Sequence, residues 1–260
     1  EGAGLATLLS RVMQMVAIVA YFYLSRRLRI YRSFFSYDAI SRLLMRRCVA
    51  IGFPISFQMV LESAAFILSS ILSLSFGAAA SGAMQVAFSI ANIAWMITVA
   101  VGSAATIMVS HIYGAKSREE LRPTIVATFH LGLMWAVTMA FIFVVARGAL
   151  VGIFSDNAEV VALSANLLLL IAIYQFSDAI QGLSISMLRG LQDVKIIMPI
   201  VLCSYLVLNI PLGTLLAYHF DMGCYGLAIG LIIGLTAAAV MTYMRVRRNV
   251  RLFEQDTLNG

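Results

Sequence analysis

The stretch Ile51-Gly-Phe-Pro54-Ile-Ser-Phe-Gln58-Met-Val-Leu-Glu62-Ser-Ala-Ala-Phe66-Ile-Leu-Ser-Ser-Ile-Leu-Ser73 carries one charged side chain, Glu62. As a helix rising about 1.5 Å per residue, it is long enough to cross the roughly 30 Å of hydrocarbon in a bilayer. The same texture repeats on either side of it. The chain is 62% hydrophobic and 12% charged, whereas a soluble domain is usually about 25% charged. Long uncharged runs alternate with short polar joints. They predict seven helical spans, at about 4–24, 50–73, 84–110, 124–146, 159–188, 196–218 and 223–244. No period-2 alternation of a membrane barrel is present, and helices satisfy their own backbone in lipid. The expected fold class is an all-α polytopic membrane protein.

The formal charge of +6 raises the question of nucleic acid. The distribution argues against that partner, because the basic residues gather at the ends of apolar runs. Arg26, Arg27, Arg29, Arg32, Arg42, Arg46 and Arg47 lie between the first two expected spans. Lys116, Arg118 and Arg122 follow the third, Arg189 and Lys195 the fifth, and Arg245, Arg247, Arg248 and Arg251 the seventh. The opposite joints carry only Arg147. By the positive-inside rule the rich side faces the cytoplasm. The expectation is a multi-pass protein of the cytoplasmic (inner) membrane, with its first residues outside and its C-terminus inside. Arg42, Arg46 and Arg47 alternate with Leu43, Leu44 and Met45, which suits a short helix on the inner membrane surface.

Cys48, Cys203 and Cys224 form no CxxC pair, and His111, His130 and His219 are dispersed. Neither a disulfide framework nor a metal cluster is expected. The chain opens at Glu1 without an initiator Met or a signal-peptide pattern, and reads as part of something longer.

Two of the twelve Asp and Glu residues are stranded within spans: Glu62, and Asp178 in Tyr174-Gln-Phe-Ser-Asp178-Ala-Ile-Gln181. A carboxylate in hydrocarbon requires a partner, a proton or an ion, and marks a pathway more often than a packing element. Glu62 lies roughly 22 Å along its helix from Arg47, and Asp178 roughly 17 Å from Arg189. Both therefore fall near mid-membrane. Gln58 is one turn from Glu62, and Tyr174 and Gln181 are each about one turn from Asp178, so each carboxylate has a polar stripe on its own face. Pro54 frees a backbone carbonyl two turns before Glu62. Gly226, Gly230 and Gly234 form a ridge for close helix packing. Arg11, inside the first span, is open to snorkelling, an outside partner or a substrate role.

Several motifs resemble those of the MATE (multidrug and toxic compound extrusion) transporters, NorM type. Ile51-Gly-Phe-Pro54 with Leu61-Glu62 and Phe66 resembles the opening of that family's seventh helix, and Ala83-Met-Gln85-Val-Ala the start of its eighth. Ile173-Tyr174 through Asp178 to Gln181 resembles the tenth helix, and Leu188-Arg189-Gly190-Leu-Gln-Asp193 the loop after it. Gly2-Ala-Gly-Leu-Ala-Thr7-Leu-Leu-Ser10-Arg11 resembles the sixth helix.

The resemblance implies the last helix of an N-terminal lobe (1–27), a basic cytoplasmic linker (28–48), a C-terminal six-helix lobe (49–248) and a cytoplasmic tail (249–260). The missing partner would be the N-terminal lobe of the same protein. The family's function implies no enzyme activity and no cofactor. It implies an antiporter that exchanges Na⁺ or H⁺ for organic cationic drugs by alternating access. Glu62, Asp178 and Tyr174 would bind the coupling cation, with Gln58, Gln85 and Gln181 lining the cavity. No metal is expected beyond a Na⁺ at Glu62 and Asp178. Two other readings use membrane carboxylates or this architecture. An intramembrane aspartyl protease needs a Gly-x-Gly-Asp pattern and an aspartate pair, and neither is present here. A lipid-precursor flippase tends to carry cationic residues in its cavity, and apart from Arg11 none falls deep in an expected span.

Overall fold

The structure, a computed structural model, describes residues 2–25 and 41–259. Arg26, Arg27, Arg29 and Arg32, and the expected linker as far as residue 40, lie outside the described residues. The chain divides into two compact units, 1–50 and 51–260.

The first unit contains α1, Gly2–Leu24. Its apolar side chains, among them Leu5, Met13 and Tyr21, are exposed, as suits a helix that meets lipid. Arg11 donates from Nη1 to Oε1 of Gln14, one turn on, at 3.3 Å. The next helix, α2, runs from Arg42 to Ser73. The separate surface helix expected around Arg42–Cys48 is therefore not formed, and these residues are the opening turns of α2. Arg, Leu and Met are strong helix formers, and nothing in the segment stops a helix before Pro54.

In the second unit α2 ends in a short 3₁₀ turn, Leu74–Phe76. Gly77 follows at φ +103°, a conformation open to glycine and strained for other residues. The remaining helices are α3 (Ala78–Gly114), α4 (Arg118–Val145), the short α5 (Arg147–Gly152), α6 (Ala158–Gly190), α7 (Ile197–His219) and α8 (Gly223–Asn259). Among the described residues seven helices, all but α5, are long and apolar enough to cross a membrane. The described residues contain no strand. All seven expected spans are present. Several run past the expected ends, because good helix formers continue beyond the apolar core. α8, for example, carries Arg245, Arg247, Arg248 and Arg251 onward to Asn259.

α6 is the central helix and packs against α3, α4 and α8. Asn157 caps its start, its side chain accepting from the N–H groups of Glu159 and Val160. Buried Leu167, Leu168, Leu183, Met187 and Leu188 fill its apolar contacts. The glycine ridge of α8 lies against α7. A side chain added at Gly226 would meet the Ala217 backbone, one at Gly230 the Gly213 backbone, and one at Gly234 both Asn209 and the Ser204 carbonyl. Two helices in lipid gain from such close approach, since dispersion contacts replace the hydrophobic drive available in water.

α7 is irregular. Its segments Cys203–Asn209 and Leu215–His219 are π-helical, and Pro211 sits between them. Proline has no N–H to give to the preceding turn, and local widening accommodates the loss. At the end of α6, Gln192 turns the chain at φ +61°. Asp193 then accepts from Arg245 Nε at 2.6 Å and Asn249 Nδ2 at 2.7 Å, which ties the α6–α7 joint to α8. Burial alone would raise the Asp193 carboxyl. The hydrogen bonds from Arg245 and Asn249 and the Arg245 charge outweigh it, and hold the group below its usual value.

Candidate functional site

Between α2, α3, α6 and α7, within the second unit, lies a cavity of about 880 Å³. All six residues singled out from the sequence line it: Gln58 and Glu62 from α2, Gln85 from α3, and Tyr174, Asp178 and Gln181 from α6. Its wall mixes apolar surface (Phe66, Phe88, Trp95) with small hydroxyls and amides. That is the usual character of a small-molecule site.

The two carboxylates are held differently. Gln181 donates from Nε2 to Glu62 Oε1 at 2.9 Å, across the cavity from α6 to α2. The same amide accepts at Oε1 from the Tyr205 hydroxyl at 3.2 Å. Gln181 is thus fixed at both ends and presents its N–H to Glu62. Tyr174, one turn before Asp178, donates its hydroxyl to Oδ1 at 3.3 Å. Asp178 is only 5% exposed, and its Oδ2 has no protein partner. An ionised carboxylate only accepts, so this oxygen is open to a proton or a cation. The Tyr174 ring is also braced at its edge by Phe66, 6.4 Å away, and Phe66 by Phe88 at 5.3 Å.

α2 approaches α6 differently from the way α3 does. α3 and α6 pack backbone to backbone, with Gly190 against the Thr106 carbonyl and Val109. α2 reaches α6 through long side chains that bridge the cavity. Besides Gln181–Glu62, Arg189 donates from Nη2 to Gln58 Oε1 at 2.7 Å. Higher numbers on one helix meet lower numbers on the other in these two bridges, so α2 and α6 run antiparallel.

Two participants, Arg189 and Tyr205, were not singled out in the sequence, nor was buried Gln175 outside the cavity lining. Arg189 served there only as a marker of orientation, yet it lines the cavity and is half-buried. Tyr205 and Gln175 passed as ordinary residues of spans. Tyr205 is 1% exposed and reaches Gln181, and Gln175 is 1% exposed with neither side-chain amide atom partnered. Being polar within an apolar run was the available signal for Gln175. Tyr205 gave none, since tyrosine is common in spans. The described residues hold no cluster of three or more His, Cys, Asp or Glu side chains able to bind a metal.

Long apolar helices that enclose a cavity holding two carboxylates have the build of an integral membrane protein with an internal site. Residues 54–215 match the family model MatE, and the chain belongs to that family. It is 32% identical over 247 residues to a probable multidrug resistance protein NorM of Xylella fastidiosa (strain 9a5c), covering 95% of this chain and 53% of that one. It is 31% identical over 252 residues to the multidrug resistance protein MdtK of Edwardsiella ictaluri (strain 93-146), covering 95% of this chain and 55% of the relative. The fold matches the crystal structure of the eukaryotic MATE transporter AtDTX14 with a TM-score of 0.87 at 22% identity, over 98% of this chain and 58% of that one. It also matches an outward-facing MATE family transporter of the MOP superfamily with a TM-score of 0.84 at 18% identity, over 98% of this chain and 57% of that one. The chain spans about half the length of the curated relatives it matches.

Proposed function

We propose that the chain is the C-terminal portion of a cation-coupled antiporter that exports organic cations across the cytoplasmic membrane. In this reading residues 49–248 form the C-terminal six-helix lobe, 1–27 the last helix of the N-terminal lobe, 28–48 the cytoplasmic linker and 249–260 a cytoplasmic tail. The observation that carries it is the meeting of Glu62, Asp178 and Tyr174 in one cavity, with an Asp178 oxygen buried and unpartnered. Na⁺ or H⁺ entering from outside is held by Asp178 and Glu62, and Tyr174 orients Asp178. A positively charged drug entering from the cytoplasm competes for the same oxygens, while Phe66, Phe88 and Trp95 offer it aromatic surface. Exchange follows if cation and drug favour opposite orientations of two lobes. The names of the NorM and MdtK relatives, and coverage of about half their length, support a drug substrate and a second lobe.

The test uses the full-length protein in cells loaded with ethidium or norfloxacin. Glu62→Gln and Asp178→Asn are each expected to abolish efflux at normal expression and membrane insertion. Wild-type efflux in both variants would remove the carboxylates from the mechanism. The flippase reading gains one observation, a cation in the cavity wall at Arg189. Among the described residues the cavity wall carries that one cation and two carboxylates, and the balance of charge favours a cationic substrate.

A further inference from the structure

Among the described residues that line the cavity, Arg189 is the one cationic side chain. It stands in the last turn of α6, where one guanidinium nitrogen, Nη2, is bonded to Gln58 and another, Nε, is buried without a partner. Gln58 is the residue one turn before Glu62 on the same face of α2. The bond to Gln58 therefore holds the guanidinium within about one helical turn of Glu62. Glu62 itself accepts from Gln181, and the Gln58 amide that holds Arg189 also stands within hydrogen-bonding reach of Glu62. An arginine placed to cap a solvated helix end would point outward and spread its donors in water. This one turns inward, along the wall, toward a carboxylate it does not directly bond.

We propose that Arg189 is a tethered competitor for Glu62, which weakens the hold of the site on its mobile cation and so permits release. The inference rests on the antiporter reading and adds a residue that sets affinity within it. A cation bound at Glu62 is repelled by the guanidinium, and a Glu62 that has lost its cation gains a neighbouring positive charge. Both effects lower the difference in free energy between the occupied and empty site. A transporter needs such moderation, because a site that binds too tightly turns over slowly. Gln58 holds the guanidinium on one side and stands one turn from Glu62 on the other, so the positive charge acts on the carboxylate without movement of the helices. Arg189 is therefore a positioning and affinity-setting residue, and touches substrate only through Glu62.

The experiment measures equilibrium binding of ethidium, whose charge is permanent, to purified full-length protein at fixed pH and Na⁺, together with efflux rates. Arg189→Gln is expected to tighten ethidium binding by on the order of tenfold, as for loss of a partly screened charge a few ångströms away. Maximal efflux should fall at the same time, so that half-saturation and turnover both drop. Arg189→Lys keeps the charge and should stay near wild type in binding. In the Glu62→Gln background, Arg189→Gln should no longer tighten binding. A merely structural role would loosen binding in Arg189→Gln and would persist without Glu62. Unchanged or weaker binding in Arg189→Gln overturns the inference while leaving the antiporter reading intact, provided Glu62→Gln itself weakens binding. Equal binding by wild type and Glu62→Gln would defeat the antiporter reading itself.

Discussion

Asp178 and Tyr174 lie one turn apart on α6, and their 3.3 Å hydrogen bond leaves the second carboxylate oxygen unengaged. Replacing Tyr174 by Phe removes a hydroxyl and keeps the ring that packs on Phe66. The site loses the oxygen that orients Asp178 and that stands beside its free Oδ2 as a further ligand for a cation. The half-saturating concentration of the coupling cation in transport should therefore rise several-fold, with much less change in the apparent affinity for drug. An ion titration curve that overlays the wild type would take Tyr174 out of the site. Gln181 has a related part, since its amide joins Glu62 to Tyr205 and fixes which end of the amide faces the carboxylate.

Two contacts between helices lend themselves to test at the level of elements. At Gly230 an added side chain would collide with the backbone of Gly213, so Gly230→Leu must push α8 away from α7. Overpacking of this kind typically destabilises by about 1–3 kcal/mol. The purified protein in detergent should unfold several degrees lower. Gly52→Leu serves as control, because nothing lies within 4 Å of its added Cβ, and its melting temperature should stay near wild type. The second contact is Asp193 with Arg245 and Asn249. The folded state depresses this carboxyl, so its contribution is present above the unfolded value of about 3.9 and is lost as pH falls through the lower folded value. Both partners are partly exposed, at 22% and 31% for their side chains. The effect should be small, about 0.5–1 kcal/mol. Melting curves between pH 3 and 6 should show wild type losing this increment on acidification and Asp193→Asn lacking it. Parallel curves for the two proteins would show that the pair adds no measurable stability.

At the scale of the molecule, alternating access requires two bodies moving around a shared site, and this chain matches about half of its relatives' length. Residues 1–260 produced alone are expected to insert in membranes and to give no drug accumulation in vesicles. Robust accumulation by this chain as a monomer would contradict the two-lobe reading. The seven spans were legible in the sequence because lipid offers the backbone no hydrogen-bond partners. A long apolar run has to be a helix there, whatever its neighbours. The glycine ridge of α8 was legible for a similar reason, since bare backbone at every fourth position can serve only close approach. Glu62 and Asp178 stood out because a charge in hydrocarbon is conspicuous on any helix. The sequence did not say which helix faces would meet. Whether α2 lies opposite α6, and so whether the two carboxylates share a cavity, depends on helix rotation and pairing, which packing decides. Arg42–Cys48 joined the span because no local signal separates a surface helix from an extended one. The π-helical turns of α7, which carry Tyr205 to Gln181, depend on how the helix relaxes around Pro211 against α8. Arg189 shows the difference most directly. Its position near a helix end was plain from the sequence, but a long flexible side chain there reaches equally well outward to water or inward to a cavity. Only the tertiary arrangement, by placing Gln58 and Glu62 across from it, decided which.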